Sequence, residues 1–496
     1  MSLFSFPSGQ ARVRLVQVGA ALTIAALVQG CGAGYRPVVT PINPSGPAQQ
    51  PNGHAVVISS PSASSNGIAT IIDYSGDTIM ATAEVGLNPI AFSLDEAGSS
   101  GYTLNSDGTV TNFPATSNLQ QKYITYSTLP AAAETVNIFT PSAGMWTANL
   151  NNSVSDVLTG SPETFKLAIP VAQNPVTIIG PSIAGQRNYA ISQGATTSAM
   201  QCNLSPTTGP IGTATAMETS SYSVSASIPV GRCPVFGVES TDGKRLFVLN
   251  RGDDTITVIN SQNNTLDACT PFVSQSGRTV TCHPSLPLST TAGLTGANAP
   301  TVAGPVYAEY NAATSQLVIA DYDGGTISVI DVSLDEYGND SDTFGTTFTI
   351  PVGSHPASVT ALYDGSRAYS ANQSDGTVTI VNLSSHSVEK TLAVVGHPRT
   401  VVSISNSLYG KVYVASPDSP YLTVISTDQD VVDTTVLVQG NIMDVRTGNQ
   451  DGISGNYIST SRVPGYGEPC YLPDNVMADN GITTPTLAQC QSQTLP

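Results

Sequence analysis

Short apolar stretches, each bounded by turns rich in Gly, Asp, Asn and Ser, are the dominant pattern of the chain. Between residues 357 and 395 four of them follow one another: ASVTALY, SRAYSAN, TVTIVNL and EKTLAVV. Each is rich in β-branched residues and partly alternates apolar with polar positions, as half-buried β-strands do. The pattern predicts four short strands within about 40 residues.

The same unit recurs along the sequence. One landmark is a large apolar residue, two variable residues, and then Asn, Ser or Asp; its copies begin at 56, 102, 146, 189, 247, 318, 369 and 413. A second landmark is a Pro at each junction, often after Val-Gly, as in PVGRCP (229–234) and PVGSHP (351–356). Four-strand units repeating at this spacing are typical of β-propeller blades, which stack around an axis to bury their faces.

The predicted fold is therefore all-β, a β-propeller of four-stranded blades, with eight blades by count. The segments 55–60, 68–74 and 79–86 supply three strands, and seven full units follow. A leftover strand at 442–446 would then complete the first blade, so that strands from both termini close the ring and remove exposed edges. If Val56 begins an additional edge strand instead, the ring has seven blades.

The landmarks resemble the YVTN-type β-propeller repeat. Residues 234–441 match that pattern best and residues 54–233 match it more loosely, although no copy reads Tyr-Val-Thr-Asn. The resemblance implies a propeller, often of seven blades in that family.

The N-terminus has the pattern of an export signal. Arg12 and Arg14 precede an apolar run at 15–29, which is short for a membrane span, and the run ends in Val-Gln-Gly-Cys31. This resembles a bacterial lipobox, with Gln29 as a departure, and an ordinary signal peptide is the alternative. We expect residues 1–30 to be a lipoprotein signal peptide and Cys31 to be lipidated, with Gly32 indicating the outer membrane. Residues 31–53 would be a Pro/Gly-rich tether, 54–450 the propeller, and 451–496 a tail packed on it.

Six further cysteines remain after Cys31, and an even number in an exported protein predicts disulfides. Six cysteines allow 15 pairings; proximity in the sequence favours Cys202–Cys233, Cys269–Cys282 and Cys470–Cys490. The first two pairs lie in or beside long insertions at 205–221 and 263–303, which we expect to be loops.

Acidic residues outnumber basic ones by 35 to 17, which gives a net charge of −18. A nucleic-acid partner is not expected, because no basic stripe is visible.

Propeller topology places the turn between the second and third strands on the same face as the junction into the next blade. A candidate binding face follows from that placement, with Asn88 and Asn174 nearer the axis. Its candidate residues are Asp253, Asp254, Asp321, Asp323, His355, Asp375, His397 and Asp418. Such turns also serve folding alone, because Asp-Gly and Gly-Gly supply the positive φ angles of tight hairpins.

Three further patterns have simpler explanations than a site. His355 and His397 occupy equivalent junctions and could hold a metal, but no third ligand is apparent. The acidic run 335–342 lacks the spacing of an EF-hand and predicts a solvated loop. The tripeptide Arg251-Gly252-Asp253 falls in a repeat turn, so chance explains it better than adhesion.

Catalytic motifs are absent from the sequence, including G-x-S-x-G, the P-loop and H-E-x-x-H. We therefore expect a monomeric, lipid-anchored module of the cell envelope, without a cofactor, that binds or scaffolds a protein or other envelope ligand. The alternative is a lactonase-like or quinoprotein-like propeller enzyme that uses a divalent cation at the channel mouth.

Overall fold

The computed structural model describes residues 53–95, 98–131, 135–141, 144–150, 153–182, 186–198, 201–274, 277–289, 302–404, 410–447 and 486. In this part of the chain the strands form eight four-stranded antiparallel sheets, which are the blades of a propeller. Helix is confined there to one four-residue α-helix, Gln201–Leu204, and two 3-10 turns, Gln121–Tyr123 and Pro206–Thr208.

Both ends of the described chain build blade one. The strands are numbered in chain order, and its three N-terminal strands are β1 (His54–Ser60), β2 (Asn66–Asp73) and β3 (Ile79–Leu87). The last strand among the described residues, β35 (Asn441–Thr447), pairs with β1 and is the innermost strand of this blade. The prediction that a leftover strand near 442–446 closes an eight-bladed ring is confirmed.

Blades two to four follow in sequence order, from the innermost strand outwards. Blade two contains β4 (Pro89–Leu94), β5 (Ser100–Asn105), β6 (Thr109–Pro114) and β7 (Thr125–Thr128). Blade three contains β8 (Thr135–Phe139), β9 (Met145–Asn149), β10 (Val154–Gly160) and β11 (Glu163–Pro170). Blade four contains β12 (Pro175–Ser182), β13 (Arg187–Ser192), β14 (Ile211–Glu218) and β15 (Val224–Arg232).

Blade five has an interrupted outer strand, and blades six to eight are regular. Blade five contains β16 (Pro234–Glu239), β17 (Arg245–Asn250), β18 (Thr255–Asn260) and β19 (Thr265–Leu266), followed by the hairpin β20 (Phe272–Val273) and β21 (Thr279–Val280), and β22 (Ser285–Pro287). Blade six contains β23 (Pro305–Asn311), β24 (Gln316–Asp321), β25 (Thr326–Asp331) and β26 (Thr347–Pro351). Blade seven contains β27 (Pro356–Ala361), β28 (Arg367–Asn372), β29 (Thr377–Asn382) and β30 (Ser387–Ala393). Blade eight contains β31 (Thr400–Ile404), β32 (Lys411–Ala415), β33 (Tyr421–Ser426) and β34 (Val431–Leu437).

The hydrophobic core lies between blades, because successive side chains of a strand point to opposite faces of its sheet. In β1, Val57 packs with blade eight while Val56 and Ile58 pack with blade two. The large apolar residue of the repeat is fully buried in most copies, for example Tyr369 and Tyr413. Both faces of the inner strands are thus covered, which explains why those strands are almost continuously apolar.

Five of the seven junction prolines begin inner strands, as the sequence predicts; Pro130 and Pro398 do not, because β8 begins at Thr135 and β31 at Thr400. Pro89, Pro175, Pro234, Pro305 and Pro356 are the first residues of β4, β12, β16, β23 and β27. In each of these strands the register shifts directly after the Pro, which is a bulge at the point where a missing N–H costs least.

The junction glycines allow close approach between blades. A Cβ on Gly231 would lie 2.6 Å from Cγ of Asn250, and one on Gly353 would lie 2.6 Å from Cγ of Asn372. Because no real Cβ fits at that distance, these positions require Gly. The Val-Gly pair of the repeat is therefore explained by the packing of one junction against the Asn of the next blade.

Both insertions differ from their predictions. Residues 263–303 were expected to be a loop, but they contain β19 to β22, of which β19 and β22 form the outer strand of blade five. Residues 205–221 were expected to be a loop, but residues 211–218 form β14, the third strand of blade four. The inserted segment lies earlier, between Ser192 and Ile211, and contains the short helix. The prediction was wrong because it took the many Ser, Thr and Gly residues of this region as a sign of a loop. Alternating Thr and Ala can nevertheless form a strand that packs between blades.

Candidate functional site

The blade junctions contact the strand two-to-three turns of the following blades, and together they form the junction face. The first turn residue donates its backbone N–H to the carbonyl of the residue before the junction Pro; examples are Gln193 to Asn174, Arg251 to Cys233 and Gln373 to His355. These contacts bring the predicted turn and junction residues together. Whether that face binds a ligand stays a prediction.

Three of the predicted turn carboxylates bind the backbone of the preceding junction. Asp253 accepts the N–H of Arg232 at 2.7 Å, and Asp375 accepts the N–H of Ser354 at 2.6 Å. Asp418 accepts the N–H of His397 at 2.9 Å. The Asp of the turn therefore fastens one blade to the next, in addition to any role toward a ligand.

A group of four side chains crosses the interfaces of blades five, six and seven. Arg251 binds both carboxylate oxygens of Asp323, at 3.0 and 2.8 Å, and its side chain is only 5% exposed. The guanidinium also lies 5.7 Å from the ring centre of Tyr322, and that ring lies 4.6 Å from the imidazole of His355. Bidentate and stacked contacts fix orientation, so this group is a rigid polar patch.

Asp254 belongs to the same region. Its Oδ1 accepts the N–H groups of Ala303 and Gly304 at 3.1 and 2.8 Å. Desolvation raises the pKa of Asp254 above its ordinary value, and nearby Asp323 adds to the shift, although these two hydrogen bonds oppose it. The carboxylates of blades five and six are therefore close enough to interact electrostatically.

Asp321 is not displayed on the face. Its side chain is fully buried and accepts hydrogen bonds from Thr326 and Ser328 at 3.2 and 2.6 Å, while its Oδ1 has no partner in the described part of the chain. Burial raises the pKa of Asp321 from 3.8 to about 7. Asp321 occupies the fourth position of the repeat landmark, whose side chain turns toward strand three rather than outward.

Asn residues show what this position does in other blades. Asn250 donates from Nδ2 to Thr255 and Thr257, and its Oδ1 accepts the N–H of Gly231 from the preceding junction. Asn372 donates in the same way to Thr377 and Thr379. The sequence signal is Asn followed by hydroxyl residues five and seven positions later, and it was available without a structure.

His355 and His397 differ, although the sequence predicts equivalent positions. His355 has a φ of +54°, directly precedes the first residue of β27, and its Nδ1 lies 2.7 Å from Oγ of Ser374. The Nδ1 of His397 instead lies 2.6 Å from Asp418, and β31 begins only at Thr400. The two imidazoles therefore have separate local partners. In the described part of the chain no three His, Cys, Asp or Glu side chains are arranged to hold a metal ion.

The Arg-Gly-Asp tripeptide is engaged within the protein. Arg251 is buried against Asp323, and the Gly252 N–H is donated to the carbonyl of Arg232. These contacts agree with the interpretation that the tripeptide is a repeat turn.

The opposite face carries a repeated contact that sequence reasoning missed. A basic residue at the start of strand two reaches a backbone carbonyl in the connection between strands three and four of the next blade. The four examples are Arg187 to Ser261, Arg245 to Gly338, Arg367 to Thr427, and Lys411 to Tyr74. Three of these basic residues also pair with an Asp there: Arg245 with Asp340, Arg367 with Asp430 and Lys411 with Asp77. In the sequence, the signal for this contact is that the few basic residues recur at the start of strand two.

Charged side chains also line the inner strands around the axis. Arg446 binds Asp444 at 2.8 Å and interacts with Tyr307 of blade six, so it reaches across the ring from blade one. Glu309 accepts the N–H of Ala361, and burial raises its pKa to about 7. These groups are buried, and they link inner strands of different blades.

The disulfides Cys202–Cys233 and Cys269–Cys282 form as predicted. Cys31, Cys470, Cys490, the tether and the tail lie outside the described residues, apart from Gly53 and Thr486. Both halves of the interrupted outer strand of blade five, β19 and β22, pair with β18, and residues 268–274 and 277–283 leave the blade between them. We call these residues the excursion; the disulfide closes its base.

The acidic run 335–342 is not a solvated loop. Asp340 is 1% exposed and interacts with Arg245 and His283, and Arg278 from the excursion binds Asp335 and Asp342. The insertion of blade five supplies the cation, which the local sequence of the run could not reveal.

Across the described residues, no helix is both long enough and apolar enough to span a membrane. No family model matches the sequence, and no curated protein matches it. Solved structures do resemble it. Two structures of AztD from Citrobacter koseri, the second of the apo protein, are each 11% identical and cover 80% of this chain, with 97% and 99% of their own chains covered and TM-scores of 0.51 and 0.52. Likeness at this identity shows the fold alone: the chain is a β-propeller.

Proposed function

We propose that the protein is a lipid-anchored, non-catalytic binding module of the cell envelope, and that the junction face of blades five to eight holds a partner with a basic surface. The observation that carries the proposal is the Arg251, Asp323, Tyr322 and His355 group with the carboxylates around it. A preorganised polar patch loses little conformational entropy on binding, which favours recognition.

The charge of this face supports a basic partner. Asp253, Asp323 and Asp418 have side chains 37%, 24% and 28% exposed, and Asp375 is exposed. Asp253, Asp375 and Asp418 each accept a junction N–H with one oxygen only. The nearby basic side chains Arg232 and Arg251 both pair with aspartates of the face. Complementary charge steers association and selects partners.

The binding test compares two matched triple variants. Asp253→Asn, Asp375→Asn and Asp418→Asn together remove three charges while leaving an oxygen to accept each junction N–H. Asp242→Asn, Asp364→Asn and Asp428→Asn remove three charges from exposed turns of the opposite face. In cross-linking and pull-down from the native envelope, we expect the first triple to lose a partner that the wild type and the second triple retain. Equal retention by both triples contradicts the proposal.

A second measurement addresses cofactors. The proposal expects no bound metal and no change in melting temperature with Ca²⁺ or Mn²⁺, because the turn carboxylates already accept hydrogen bonds from the junctions. A large shift that disappears in Asp323→Asn would instead support the metal-dependent enzyme.

The anchor is tested separately. Cys31→Ser removes the proposed acylation site, so the protein should move from the membrane fraction to the soluble fraction. Several acyl chains on one residue would be needed for stable anchoring, since one chain binds only weakly. Continued membrane attachment of the variant refutes the anchor without affecting the binding proposal.

A further inference from the structure

The base of the excursion contains a buried charge cluster that the proposed function does not use. Nη2 of Arg245 lies 3.3 Å from Oδ1 of Asp267 and 3.4 Å from Oδ1 of Asp340. The three side chains are 3%, 3% and 1% exposed. Two carboxyl groups therefore share one nitrogen of a single guanidinium away from water.

The cluster joins two insertions from neighbouring blades. Asp267 lies two residues before Cys269, and His283 directly follows Cys282, so both flank the disulfide. His283 donates its backbone N–H to Asp340, its Nδ1 lies 2.8 Å from the same carboxylate, and its ring stacks on Phe344. Farther out, Arg278 binds Asp335 and Asp342 and the carbonyl of Asp340.

The hydrogen bonding of the cluster is incomplete. Oδ2 of Asp267 and Nε of Arg245 are buried without a partner in the described part of the chain. The charged and titratable groups that face Asp267 are Arg245 from β17 and Asp340 from the loop after β25, with Asn260 as a polar neighbour at 3.4 Å, while His283 from the excursion contacts Asp340. One guanidinium cannot fully compensate two buried carboxylates, because desolvation penalises each charge.

We propose that the excursion is a proton-dependent strap, docked on residues 333–346 when Asp267 is protonated and loosened when Asp267 is ionised. Desolvation raises the pKa of Asp267 from 3.8 to about 6, with Asp340 adding to the shift and Arg245 opposing it. An undocked Asp267 titrates near its ordinary value, so docking weakens as the pH rises from about 4 to about 6.

Hydrogen exchange on the whole protein tests the strap. Protection factors, corrected for the intrinsic pH dependence of exchange, are measured between pH 4.5 and 7.5 in peptides from 268–283 and from blade two. We expect protection of the strap to fall by up to about 30-fold, while blade two changes much less. Equal changes in both regions would indicate global destabilisation and overturn the proposal, as would a flat profile in the strap.

Matched Asp→Asn variants identify the group. Asp267→Asn cannot ionise and should keep the strap protected at pH 7.5, with little pH dependence. Asp342→Asn, whose side chain is 76% exposed, should retain the wild-type dependence. If Asp267→Asn fails to fold by circular dichroism, Asp340→Asn, which also removes the carboxylate repulsion, takes its place. A wild-type profile in the folded Asp267 or Asp340 variant contradicts the assignment.

Discussion

The fourth position of the repeat landmark holds a buried polar side chain in every blade, and in blade six that residue is Asp321. Where the other blades place Asn or Ser, blade six places a carboxyl group with one oxygen that has no partner among the described residues. Its raised pKa, about 7, means that the folded state retains a proton that the unfolded state releases near pH 4. Stability is therefore lost as the pH rises from about 4 to about 7, by an amount on the order of 4 kcal/mol.

Asp321→Asn should remove this loss of stability at high pH. The amide can donate to Thr326 and Ser328 as Asn250 donates to its own hydroxyl partners. We expect the melting temperature of the variant to exceed that of the wild type clearly at pH 8 and only slightly at pH 4.5. Asp375→Asn, at an exposed turn, serves as the control. A gain of the same size at both pH values would show that ionisation is not the cause.

The exposed turn positions were predictable from the sequence, whereas Asp321 was misplaced. Its neighbours Asp323 and Asp254 do lie at the junction face, because Gly-rich hairpin turns can only project there. Asp321 belongs instead to the end of strand two, where the pleat and the hydroxyls of strand three decide the direction of the side chain. The carboxyl group looked like its acidic neighbours, although the repeat landmark places Asp321 at the same position as Asn250.

Neighbouring blades are joined on the opposite face by buried basic side chains. On the junction face they are joined by turn carboxylates that accept backbone N–H groups. Lys411, at the start of β32, shows the first kind: Nζ lies 2.6 Å from Asp77, and the two side chains are only 4% and 8% exposed. Removing one partner of such a pair leaves the other buried and uncompensated, which costs more than the pair contributes.

Lys411→Met should lower the free energy of unfolding by about 3 kcal/mol, because Met retains the apolar stem but leaves Asp77 unpaired. Adding Asp77→Asn should recover most of that loss. Chemical denaturation of the two variants and the wild type provides the comparison. If the double variant is no more stable than Lys411→Met, the burial of Asp77 is not what makes the single change costly.

The positions of the strands were predicted well, because the local pattern of apolar residues governs them. The contacts between blades were not predicted, because they depend on residues of neighbouring blades. The four strands predicted in 357–395 agree with β27–β30 to within a few residues. The pairing of Lys411 with Asp77 spans most of the chain and exists only once the ring closes. The equivalence of His355 and His397 failed for a similar reason: their junctions have different backbone conformations, which a shared His-Pro dipeptide does not reveal.

The whole molecule depends on one closing strand. Ile442 and Val445 of β35 are fully buried between blade eight and the rest of blade one. Arg399 and Thr400 of blade eight hold the same strand by hydrogen bonds to Met443 and Asp444. A ring without this strand would present the unpaired inner edge of β1.

Val445→Asp should therefore prevent closure, since it buries an unpaired charge at a cost of at least about 4 kcal/mol. We expect a large loss of soluble protein, a much lower melting temperature, and aggregates on size exclusion. Val432→Asp, on the outer strand of blade eight at a side chain 38% exposed, is the control and should behave like the wild type. Similar behaviour of the two variants would mean that closure by β35 contributes little to stability.

The pairing of β1 with β35 also decides how the propeller responds to mechanical tension. The two strands are antiparallel, with Ala55 opposite Thr447, so the chain enters and leaves the ring at the same end of one strand pair. Force applied between the two ends would break the hydrogen bonds of this pair one after another, and not all at once. Force on the N-terminal end alone would enter β1, which is flanked on both sides by paired strands. Tension between β1 and β35 should therefore separate the two strands easily, whereas tension that acts on β1 alone must break its pairing on both sides.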